Sequence, residues 1–186
     1  MKRVVTIFVS MMLLVGCSSE RSDSITDPQT DASMAKIDLA TAMFTRLLNQ
    51  YGDNVDTSKI PMPQQTMMLV YHSYGIIGNG GFQYLFEENF PGDPEFLLTQ
   101  QAYKTIGASN ASVAFEKAFA AFPNSTPPAD LDRRLEMWQS KYNRKYLRDD
   151  KSSPDHIYFN AMDEVMSKLN LYIKANEADF ASLPKY

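Results

Sequence analysis

The chain is poor in the residues that most reactive sites are built from. It has one cysteine, Cys17, in 186 residues, so no disulfide can form within it and no zinc-type cysteine set exists. It has two histidines, His72 and His156, and neither has a second ligand type at metal-binding spacing. No Gly-Lys-Ser/Thr follows a glycine loop, and no Gly-x-Ser-x-Gly elbow occurs, which removes the sequence signals for a P-loop and for an α/β-hydrolase nucleophile. No stretch alternates apolar and polar residues with the β-branched enrichment of a strand. A strong excess of charge of one sign is also missing: 18 basic residues stand against 22 acidic ones. The basic footprint that nonspecific nucleic-acid binding needs is therefore absent. No cofactor and no metal is expected, and no catalytic residue is assigned.

Long hydrophobic runs are lacking as well. The one sustained apolar stretch, Val4 to Val15, follows Lys2 and Arg3. A helix that short rises only ~18 Å against a ~30 Å hydrocarbon core. Residues 1–16 therefore read as a signal peptide and not as a permanent span. The run ends in Leu14-Val15-Gly16-Cys17-Ser18, which resembles a bacterial lipobox. That resemblance implies cleavage before Cys17, acylation of Cys17 (palmitate among its acyl chains) and attachment to a membrane of the cell envelope. Ser18 instead of aspartate implies the outer membrane, facing the periplasm. Several acyl chains, at ~0.8 kcal/mol per buried methylene, would hold the protein firmly. Loss of Lys2 and Arg3 from the 18 basic residues leaves 16 against 22 acids, a formal charge of −6. Residues 17–33 are rich in Ser, Thr, Asp and Pro with one bulky apolar residue, Ile25, and are expected to be a flexible tether.

From about residue 34 to residue 186 the apolar spacing is helical. Seven helices are expected: to Tyr51 with Gly52 as its stop; Met67 to Tyr74, ending near Gly75–Gly78; Phe82 to Phe90; a helix capped by Asp93 with Pro94 at its first position; Ala108 to Phe122; Asp130 to about Tyr146; and a last one from Ser153 or Asp155 toward Phe180. The fold class is all-α, a single bundle with an aromatic-rich core. Asn79, Gly80 and Gly81 are expected to form a structural turn between two helices, since such residues tolerate positive φ. An anion-binding loop is the sharper alternative for these glycines. Between 133 and 151, Arg134, Lys141, Lys145 and Arg148 are spaced by seven, four and three residues and interleave with Trp138. A continuous helix would place the cations on one face, a candidate docking surface for an anionic partner.

Three segments carry a resemblance: "NGGFQYLFEENF" (79–90), "AYKTIGASNASVAFEKAFAAFP" (102–123) and "YFNAMDEVMSKLNLYIKANEADF" (158–180). Together they resemble an all-α domain-of-unknown-function family typified by a bacterial DNA-mimic protein of the DMP type, over about residues 36–183. The resemblance implies the fold. DNA mimicry itself requires carboxylates little interrupted by cations, whereas Arg133 and Arg134 fall among Asp130, Asp132 and Glu136. The function expected is a membrane-anchored lipoprotein with a noncatalytic protein-binding module, partnered by the membrane and by a protein, with a homodimer as one further arrangement and no nucleic acid. An envelope enzyme and a DNA-mimic regulator are the alternatives.

Overall fold

The computed structural model describes residues 38–142, 147 and 149–184. Helices form wherever apolar residues recur at three- and four-residue spacing, and local side chains set their ends. Helix α1 (Leu39–Tyr51) is capped by Asp38, whose carboxylate accepts from Thr41 N, and it stops at Gly52 with φ 79°. Helix α2 (Met62–Glu87) follows Pro61, which lacks the N–H that a first turn leaves unpaired. Residues 64–70 of α2 are buried without a gap, the mark of a helix enclosed on all sides. Around it stand α1, α3 (Leu97–Thr105), α5 (Leu131–Lys141) and α6 (Pro154–Ala175), while α4 (Ser109–Phe119) packs on α3 and α6. A short α7 (Glu177–Phe180) closes the chain. The described residues contain helices, turns and loops and no strand.

The core is aromatic. Phe86 meets Phe96, Phe122 and Trp138 with ring centroids 5.8, 5.0 and 4.9 Å apart, all edge-on. Phe82 meets Phe115 at 5.0 Å and 86°. Edge-to-face pairs add about 1 kcal/mol each beyond the area they bury, so a core of this kind is specific as well as apolar.

The expected break at Gly75–Gly78 does not occur. Both glycines lie inside α2, and a Cβ on Gly78 would stand 2.9 Å from Met162 Cε. That glycine serves close packing of α6 on α2 and not termination. Asn79 and Gly80 are also helical, and the break falls at Gly81 (φ 74°, ψ −168°). Two expected helices are therefore one kinked helix, and the expected last helix divides at Asn176 into α6 and α7. Pro94 does not open α3, which starts at Leu97 after Phe96 in the left-handed region (φ 58°). The helix expected to reach Tyr146 ends at Lys141, where Tyr142 is extended (φ −119°, ψ 123°).

Candidate functional site

Buried polar side chains gather at the joints between helices. At the first joint the left-handed backbone of Gly81 brings a carboxylate from another helix against α2: Asp155, 5% exposed in the first turn of α6, accepts from Phe82 N at 2.9 Å. The N–H of Phe82 is the first after the left-handed Gly81, and Asp155 caps it as a side chain caps the start of a helix. A Cβ on Gly81 would collide with the Asp155 carboxylate. The anion this glycine cluster receives is thus the chain's own.

At the second joint Asp93, 3% exposed, accepts from Leu98 N (2.9 Å), Thr99 N (2.7 Å) and Thr99 Oγ1 (2.7 Å). It caps α3 from several residues upstream. Burial raises its pKa, against the lowering effect of those hydrogen bonds.

The third joint is Arg134, 2% exposed. Its Nε donates to Phe86 O (2.9 Å) and its Nη2 to Glu88 O (2.8 Å). Its Nη1 reaches Pro94 O (3.1 Å), Pro128 O (2.8 Å) and Ala129 O (3.3 Å). The guanidinium also lies 5.0 Å from the centroid of Phe96, the residue whose left-handed backbone turns the chain into α3. One side chain so holds the end of α2, the approach to α3 and the start of α5.

This removes Arg134 and Trp138 from the docking face expected from the spacing of cations. Arg134 is interior and spent on carbonyls, Trp138 is fully buried in the aromatic core, and the extended Tyr142 interrupts the helix that would have aligned the others. Lys141 is exposed and donates to Ala120 O at 2.6 Å. Lys145 and Arg148 lie outside the described residues, as do Cys17, the signal peptide and the tether. The exposed charged residues of α5 and its cap are Asp130, Asp132, Arg133, Glu136 and Lys141, and the exposed Glu87 and Glu88 lie at the end of α2, which Arg134 ties to α5 through the Glu88 carbonyl. Burial and the charge of Glu87 raise the pKa of the Glu88 carboxyl.

Inside the bundle, Ser73 Oγ and the hydroxyls of Tyr103 and Tyr158 form a chain, 3.0 and 2.5 Å between successive oxygens. Ser73 donates to Leu69 O at 2.6 Å. Burial pushes both phenols above their ordinary pKa, so they stay neutral. His72 stacks on Phe90 at 4.9 Å and its pKa is lowered by burial. His156 lies in the first turn of α6, on whose N-cap Ser153 its backbone N–H bonds. The two histidines stand in different settings and share no partner. Among the described residues no three His, Cys, Asp or Glu side chains are grouped as metal ligands, and no helix is long and apolar enough to cross a membrane.

The model of the DMP19-like protein family matches residues 58–176, more than half of the chain. The chain belongs to this family. The DMP19-like span runs through α2 to α6 and contains all three joints, with Gly81, Asp93, Arg134 and Asp155, and the tyrosine pair. Helix α1 and α7 lie beyond its ends. No curated protein and no solved structure matches the chain. For the DMP19-like domain, Arg134 was the residue that spacing alone misplaced. The signal was present, because Arg134 and Trp138 are four apart and share a helix face, so a buried Trp138 draws Arg134 inward. Nothing in the sequence pairs Asp155 with Gly81, 74 positions away.

Proposed function

We propose that the protein is a lipoprotein anchored through Cys17 to the outer membrane, facing the periplasm, and that its DMP19-like domain is a noncatalytic protein-binding module. The lipobox-like Leu14–Cys17 supports the anchor. The observation that carries binding over catalysis is where the buried polar groups are used. Asp93, Arg134, Asp155 and the Ser73–Tyr103–Tyr158 chain each hold helices together, which leaves the surface as the part free to act on another molecule.

That surface suits a basic partner. Glu87, Glu88, Asp130, Asp132 and Glu136 are exposed on two helices that Arg134 ties together, with Arg133 also exposed on α5, and complementary charge governs encounter and register. A second reading, a DNA-mimic regulator, gains from the burial of Arg134. In the linear sequence two arginines interrupt the acids of α5, whereas in the fold Arg133 alone does so.

The test is crosslinked capture with the full-length tagged chain from envelope membranes, read by mass spectrometry. We expect one protein partner, bound about tenfold more weakly after Glu88→Lys with Asp132→Lys, and loss of the chain from the membrane fraction after Cys17→Ser. Release of the partner by duplex DNA favours the mimic reading. Capture unchanged by the two charge reversals removes the exposed acids from the proposal, and a wild-type chain recovered in the aqueous fraction removes the anchor.

A further inference from the structure

A groove of about 510 Å³ lies between α1, the end of α6 and α7. Six of its eight lining residues, Leu39, Met43, Arg46, Glu177, Phe180 and Ala181, fall outside the family-matched span, so family membership says nothing of it. Leu39, Met43 and Arg46 sit at i, i+4 and i+7 and share one face of α1. The floor is apolar: Met43, Ile173 and Phe180 are 7%, 2% and 1% exposed. None of the buried polar side chains of the core lines it.

One wall is held in place by Arg46. Its Nε donates to Pro184 O at 3.0 Å, and its Nη2 to Leu183 O at 2.7 Å and Phe180 O at 3.1 Å. The closing segment is thereby fastened to α1 while Nη1 rests 3.8 Å from Met43 Sδ. Lys174 and Glu177 stand exposed at the rim. Neither takes part in the ion pairs of the described residues, Lys59–Asp56 and Lys104–Glu116. Leu171, 61% exposed and three residues before Lys174 on α6, extends the apolar surface beside the rim.

We propose that this groove binds the aliphatic chain of an anionic amphiphile, with its head group at Lys174. The volume lies in the range of small-molecule sites, which are apolar concavities with a few polar groups that orient the ligand. An apolar floor gains from each methylene it takes out of water. The ammonium of Lys174, in no ion pair among the described residues, selects a negatively charged end, whether the carboxylate of a fatty acid or the phosphate of a lipid head group. Glu177 opposes that charge and lowers affinity, so its neutralisation strengthens binding.

The test uses the full chain carrying Cys17→Ser, which removes acylation, and 11-(dansylamino)undecanoic acid as the probe. Saturable fluorescence enhancement is expected, weakened about tenfold by Lys174→Glu, strengthened by Glu177→Gln and lost in Met43→Trp, which fills the floor. The apolar run at residues 4–15 is common to all these chains, so differences between them report the groove. Circular dichroism establishes that each variant is folded. In a second arm, vesicles containing phosphatidylglycerol distinguish a head group from a free acid. Binding of the free acid alone assigns the fatty acid as source, and Lys174-dependent vesicle binding assigns the phospholipid. The proposal is overturned if the probe's methyl ester binds as well as the acid, or if folded Lys174→Glu and Glu177→Gln chains bind the probe as the parent does.

Discussion

Gly81 shows how much one missing side chain decides. Its φ of 74° is rare for any residue with a Cβ, and the space a Cβ would take is held by Asp155. Gly81→Ala is expected to destabilise the domain by about 3 kcal/mol, from strained backbone, a displaced carboxylate and an uncapped Phe82 N–H. Urea denaturation followed by circular dichroism measures it, and a midpoint within error of the parent would refute this account of the joint. Gly80 is the natural comparison. It is helical, and the three atoms nearest a Cβ there, all close enough to collide, belong to the ring of Tyr84, one turn onward in the same helix. That a glycine turn exists could be read from "NGGF". Which of the glycines bends could not, because the choice depends on a carboxylate 74 positions away.

Between elements, Asp93 fastens α3. A carboxylate with raised folded pKa is a cost to the fold wherever it is ionised, and the cost is relieved as pH falls through that pKa toward the unfolded value near 3.9. In that window the folded state binds more protons than the unfolded one. The stability of the parent relative to Asp93→Asn, which does not titrate, should therefore rise as pH is lowered from 7 to 4. Chemical denaturation at several pH values reads the difference, and the opposite slope would mean that the three hydrogen bonds outweigh burial. At this scale the periodicity placed helix along each segment, but divided α2, joined α6 to α7, and put the start of α3 and the end of α5 several residues off. Those limits were set by the left-handed Phe96 and the extended Tyr142, which answer to tertiary contacts and carry no local signature.

Across the whole molecule Arg134 is the staple. Its five hydrogen bonds join α2, the 91–96 segment, the 128–129 segment and α5, and lysine has three donors and no planar fork. At least two of these carbonyls would be left without their donor in Arg134→Lys, at ~1–3 kcal/mol each. We expect a loss of about 3 kcal/mol in global stability, with all helices still unfolding in one thermal transition. Little change would mean that water replaces the guanidinium.

Composition and spacing by themselves determined that the domain is all-α and that its core is aromatic, because those properties depend on periodicity, and three short segments carried the resemblance to the DMP type. Only the tertiary structure decided which charges face out. A cation at helical spacing is equally consistent with a solvated face and with a buried hub, and the difference is whether backbone carbonyls from distant segments converge on it. They converge on Arg134, and so a cation that its spacing assigned to the surface is interior.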